Sequence, residues 1–99
     1  MLTWTRTSSV NPAEFRAAMT WAHEMATYGK AKTGLEYKVE VPRSGNYGRI
    51  RWVAQAESMA IYWQAVDKIR GDPKYLDLLE KAADFFIPGT TADEFWETA

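Results

Sequence analysis

The sequence predicts an α+β domain, βαββαβ in order, with two helices covering one face of a four-stranded antiparallel sheet. Three observations predict it. Apolar residues recur at helical spacing from Phe15 to Ala26, and again from Tyr62 to Phe86. Between these stretches, residues 35–41 and 49–55 alternate apolar and charged positions with the period of a strand. Ahead of the first helix lies a threonine-rich segment suited to a strand. At 99 residues the chain has the size of one domain, so residues 1–99 are read as a single core.

Residues 1–10, MLTWTRTSSV, carry Thr3, Thr5, Thr7, Trp4 and Val10 and read as the first strand. Asn11-Pro12 then reads as a helix start, with Asn as cap, Pro at the first helical position and Glu14 as capping partner. Phe15, Ala18, Met19, Ala22, Met25 and Ala26 form one face of that helix. Gly29 and Gly34 are its candidate ends, and Lys30 and Lys32 suit the negative end of its dipole.

Leu35, Tyr37, Val39 and Val41 alternate with Glu36, Lys38 and Glu40, giving a second strand that Pro42 ends. Arg43 to Gly48 has the composition of a turn. The return strand, Arg49 to Gln55, sets Ile50, Trp52 and Ala54 on one side and Arg49, Arg51 and Val53 on the other. Ser58 caps a second helix to about Arg70, which Gly71-Asp72-Pro73 interrupts before Leu76, Leu79, Ala83 and Phe86 extend its apolar face. After Pro88-Gly89, residues Asp93 to Thr98 form a last strand, or a short helix opened by Ala-Asp-Glu. This order matches the split βαβ, or ferredoxin-like, arrangement, which leaves the second sheet face bare.

Composition excludes several classes. With 12 basic and 13 acidic residues the net charge is -1, without the basic excess of a nucleic-acid binder. The absence of cysteine removes disulfides, thiol nucleophiles and cysteine metal sites, and His23 alone is too little for zinc or haem iron. No loop has the carboxylate spacing of a calcium or magnesium site. No apolar run approaches the roughly 20 residues of a membrane span, and the opening residues lack a signal-peptide core. A soluble, cytoplasmic domain without metal or cofactor, and without nucleic-acid or membrane partners, is expected.

Five tryptophans, five tyrosines and four phenylalanines exceed what one small helix-covered core needs. Either a partner covers the second sheet face or a ligand cavity lies under the helices. The stretch from Gly48 to Ala83 bears on this. Trp52 on the third strand, Glu57-Ser58 opening the second helix, and the break Asp72-Pro73-Lys74-Tyr75 resemble the second half of dimeric α/β-barrel proteins, the antibiotic-biosynthesis monooxygenases among them. Trp21-Ala22-His23-Glu24 on the first helix is compatible with that pattern. The resemblance implies a homodimer whose two sheets pack face to face into a barrel.

It also implies candidate chemistry. Haem-degrading members carry an axial histidine on the second helix, where this chain has Tyr62, Trp63, Gln64 and Ala65. Cofactor-independent oxygenases of this fold use an asparagine, a tryptophan and hydrogen-bond donors. Trp52, Trp63, Arg51, Tyr37 and Tyr62 are the residues that would correspond, whereas no asparagine stands in the first strand.

Read from the residues themselves, His23 is either a surface histidine at the edge of the apolar stripe or an acid-base group in a cavity. Trp52 and Trp63 are core residues or cavity walls. Arg49 and Arg51 are cross-strand or cross-dimer ion-pair partners of Glu36 and Glu40, or the anion site for a carboxylated ligand. Asp67, Asp72, Glu80 and Asp84 read as helix-face charges or caps. Gly45 and Gly48 flank a turn and form no phosphate loop. Ala18, Ala22, Ala26 and Ala65 oppose the rings, which favours interdigitation over a void.

The functional reading is a small homodimer that binds an aromatic or apolar ligand between helices and sheet. Its candidate residues are Trp52, Trp63, Tyr62, His23, Arg49, Arg51 and Tyr37. The alternative is a cofactor-independent monooxygenase acting on an aromatic or polyketide-like substrate, and a third is a fully packed structural dimer.

Overall fold

A computed structural model describes residues 1–99. Its strands are β1 (Leu2–Ser9), β2 (Lys38–Glu40), β3 (Arg49–Ala56) and β4 (Ala92–Glu97). Its helices are α1 (Phe15–Thr33), α2 (Met59–Asp67), α3 (Pro73–Glu80) and the single turn α4 (Ala82–Phe85). The strands form one antiparallel sheet in the order β2-β3-β1-β4, the ferredoxin-like order that the sequence predicts.

Local chemistry explains most boundaries. Asn11 caps a 3-10 turn over Pro12–Glu14 by accepting the Ala13 N–H at 3.2 Å, and α1 starts only after it. Glu14 makes no capping bond with its side chain, against expectation. α1 runs through Gly29 and ends at Gly34, whose φ of +80° is the left-handed cap that glycine adopts without a Cβ clash. Ser58 Oγ accepts the Ile61 N–H at 3.2 Å to start α2, and Asp72 accepts the Tyr75 N–H at 3.0 Å to start α3.

Three boundaries differ from the sequence reading. β2 is only three residues long, because it is an edge strand whose pairing with β3 covers Lys38 to Glu40. Thr33 Oγ1 instead holds the Leu35 N–H at 3.1 Å, so the chain is still leaving α1 there. α2 stops at Asp67 rather than about Arg70, and turns fill the gap before Asp72. The last apolar run breaks into α3 and α4. Phe86 leaves the helix in extended geometry and bridges Val10, with Ile87 N–H bonded to Ser9 O at 2.9 Å. That bridge delivers the chain to β4, which settles Ala92–Glu97 as a strand.

The core lies between helices and sheet. Leu2 and Trp4 of β1, with Ile50, Trp52, Ala54 and Ala56 of β3, are buried beneath α1 and α2. Ala18 and Ala22 are completely buried, so α1 comes close to the sheet with no large side chain intervening. Each fully buried Ile or Leu there contributes on the order of 1.5–3 kcal/mol. On the opposite sheet face lie Thr3, Thr5, Thr7, Arg51, Val53, Glu40 and Trp96, and no helix covers them. No helix is long and apolar enough to cross a membrane.

Candidate functional site

Small residues on α1 do not fill the space above the sheet everywhere. A cavity of about 390 Å3 opens where α1, α2 and α3 stand over β1, β4 and the middle of β3. This void is the opposite of the interdigitation that the alanine stripe suggested. Ala18 and Ala22 do pack tightly, but Ala26 and Gly29, further along the same helix, leave the gap. The volume falls within the roughly 300–1,000 Å3 typical of small-molecule sites.

Fifteen of the 20 lining residues are hydrophobic, and the walls are built from rings. At one end Trp4 meets Tyr37 edge-on at 5.8 Å and Tyr62 at 6.0 Å, and Tyr62 contacts Phe95 at 5.2 Å. At the other, Trp21 stands edge-on to Trp52 at 5.8 Å, with Phe86 against both. Two indoles are pinned by their N–H groups. Trp21 donates to Leu78 O at 2.9 Å and Trp52 to Ala22 O at 3.2 Å. Ring planes held in this way form a rigid wall.

The floor carries a charge pair. Arg6 on β1 stands opposite Asp93 on β4 and donates Nε–H to Oδ1 at 2.7 Å and Nη2–H to Oδ2 at 2.8 Å. Trp4 Nε1–H reaches Oδ2 at 3.4 Å, and the guanidinium lies 5.4 Å from the Trp4 ring centre. Beside this pair, Ser8 and Thr91 share a 2.6 Å hydrogen bond.

The electrostatics follow from this packing. The hydrogen bond to Asp93 raises the Arg6 pKa, so the guanidinium stays charged. Burial pushes the Asp93 carboxyl up, but the hydrogen bond and charge of Arg6 outweigh it and hold the group below the ordinary carboxylate value. Burial raises the phenols of Tyr37 and Tyr62, keeping both neutral as hydrogen-bond donors. All four groups are moved away from neutrality, the reverse of what proton transfer at neutral pH requires.

The residues singled out in the sequence divide between two places. Tyr37, Trp52, Tyr62 and Trp63 line the cavity together. His23 is exposed on α1 and lines no part of it. Arg49 and Arg51 extend from the other face of β3. Arg51 is held by Glu40 at 2.6 Å and 3.0 Å, and Arg49 Nε–H is bonded to Asn46 O at 2.9 Å. Glu36 pairs with Lys30 at 3.5 Å instead of with either arginine. No three His, Asp or Glu side chains converge on a common point.

Arg6, Asp93 and Tyr75 are cavity residues that the sequence reading did not single out. A signal for Arg6 was present. Leu2, Trp4, Ser8 and Val10 occupy the buried face of β1, and Arg6 falls in the same alternation, where a charge requires a partner. In the ferredoxin-like order β1 and β4 are neighbours, which leaves the acidic residues of β4 as candidates.

No family model matches the chain, and no curated protein matches it. Solved structures do. An uncharacterized NIPSNAP domain protein from Burkholderia xenovorans superposes with a TM-score of 0.83 over 100% of this chain and 95% of its own, at 10% identity. The Agrobacterium tumefaciens protein Atu4242 gives 0.82 over 100% and 94%, at 17% identity. A candidate antibiotic biosynthesis monooxygenase from Nitrosomonas europaea gives 0.74 over 99% and 98%, at 10% identity. At these identities the likeness is one of fold alone, the ferredoxin-like arrangement of helices over a four-stranded antiparallel sheet.

Proposed function

We propose that the chain is a small-molecule-binding protein that holds a flat aromatic or apolar ligand between its helices and sheet, and that it works as a homodimer. The cavity carries the binding reading. It pairs concave, ring-walled space with a few polar groups, Arg6, Tyr37 and Tyr62, the usual make-up of a ligand site. Trp52, Trp63, Tyr62 and Tyr37 supply stacking surface, while His23, Arg49 and Arg51 take no part in holding the ligand. The absence of a poised acid or base favours binding over turnover.

The dimer reading rests on the sheet face opposite the helices, which carries Trp96 at 63% exposure beside Thr3 and has no helix over it. A second copy packed on that face would bury it. Light scattering should return twice the 11.3 kDa of one chain, and a stable monomer at micromolar concentration refutes the dimer.

For the ligand, the test is fluorescence of the neutral probe N-phenyl-1-naphthylamine. Val66 lines the cavity from α2, so Val66→Phe should narrow it and weaken binding in a folded protein. Equal binding by both proteins places the probe elsewhere. The likeness to the Nitrosomonas europaea protein keeps a cofactor-independent monooxygenase as the second reading. Oxygen uptake with a dihydroxylated aromatic compound would establish it.

A further inference from the structure

We infer that the cavity selects an uncharged aromatic ligand bearing a hydrogen-bond acceptor, and that Arg6 and Asp93 set this specificity by offering donors without offering net charge. The inference deepens the ligand-binding reading above and rests on it. Arg6 and Asp93 are the only ionic side chains among the cavity's lining residues, and their charges cancel. Arg6 donates one N–H from Nε and one from Nη2 to Asp93, leaving three of its five without a partner in the chain. The Tyr62 hydroxyl, also on the cavity, makes no hydrogen bond within the chain. The site is therefore rich in donors, and its one cation is already neutralised.

Ligand chemistry follows from that balance. A carboxylate entering the cavity would give up part of its hydration and meet a guanidinium whose charge Asp93 already compensates, with the Asp93 oxygens beside it. An ammonium would lose as much and meet a carboxylate already holding Arg6 and the Trp4 indole. A ketone or other neutral oxygen loses far less water and can accept from Arg6 or Tyr62. The two arginines suited to draw an anion, Arg49 and Arg51, lie on the far face of the sheet.

Three probes of similar size separate these cases in the intact chain: 2-acetonaphthone, 2-naphthoate and 2-(aminomethyl)naphthalene. Calorimetry at neutral pH should show the ketone binding about tenfold or more tighter than either ion, the scale of one well-placed hydrogen bond against an uncompensated charge. Asp93→Asn frees the guanidinium and should raise naphthoate affinity by about tenfold. Naphthoate or the amine binding as tightly as the ketone overturns the inference, as does unchanged naphthoate affinity in a folded Asp93→Asn protein. Should that variant not fold, the three-probe comparison on the natural chain decides alone. Binding of none of the probes removes the ligand reading itself, whereas tight binding of an ionic probe removes only the specificity.

Discussion

Arg6 and Asp93 face each other across the β1–β4 pairing and share two parallel hydrogen bonds of 2.7 Å and 2.8 Å. The pair ties the last strand to the first at the floor of a cavity. Its side chains remain 37% and 36% exposed, so solvent screens it and its worth is modest, about 1 kcal/mol or less.

Its pH dependence has a definite sign. The folded pKa of Asp93 lies below the ordinary 3.8, so the pair's contribution is complete above that value and disappears as pH falls through the lowered one. Asp72, lowered by its hydrogen bond from Tyr28, likewise loses its contribution as pH falls through its own lowered value. Urea melts of the natural chain and Asp93→Asn should differ near neutrality and converge in strong acid. A difference that persists unchanged below that window would show that the carboxylate is not the source.

Gly29 is a helical residue that packs against a ring. A Cβ built there lies 3.0 Å from Cδ2 and Cε2 of Tyr37, too near for the ring to stay. Gly29→Ala gains about 1 kcal/mol of helix propensity but costs about 1–3 kcal/mol of overpacking. Net destabilisation is expected, together with a displaced Tyr37 wall and weaker binding of aromatic probes. A stabilised Gly29→Ala protein with unchanged probe binding would show that Tyr37 moves freely.

Tyr28 and Asp72 join the first helix to the cap of α3. The hydrogen bond to Asp72 pushes the Tyr28 phenol up to about 12. A raised phenol pKa means that the bond's contribution is present below the unfolded value near 10 and is lost as pH climbs through the folded one. In Asp72→Asn the Tyr28 phenol should fall back toward its ordinary value, read as ultraviolet absorbance of the tyrosinate. An unmoved titration in that variant assigns the shift to another group.

Legibility in the sequence followed the range of the interactions. Asn11, Ser58 and Asp72 were readable as caps because each satisfies an N–H two or three residues away. The buried faces of β3 and α1 were readable from period alone. Arg6–Asp93 was not, since its members are 87 residues apart and meet only through strand register. His23 and Arg51 illustrate the converse. Their chemistry attracts attention in a sequence, yet orientation on α1 and β3 turns both away from the cavity. The void itself depends on how far the helices stand off the sheet, a distance that side-chain size along one stripe does not fix.

Tyr62 separates binding from stability. Its ring is buried at 6% exposure, packed against Trp4, Trp63 and Phe95, and Phe would preserve those contacts. Its hydroxyl bonds nothing in the chain, so removing it leaves no orphaned partner and should change stability by less than about 0.5 kcal/mol. If the hydroxyl donates to a ligand oxygen, Tyr62→Phe forfeits one hydrogen bond of about 1 kcal/mol, or roughly fivefold in affinity. 2-Acetonaphthone should therefore bind several-fold more weakly to Tyr62→Phe, while naphthalene, with no acceptor, should bind both proteins alike. Equal loss for both probes would mean that the substitution reshaped the wall. No loss for the ketone would leave Arg6 as the donor that holds the ligand oxygen.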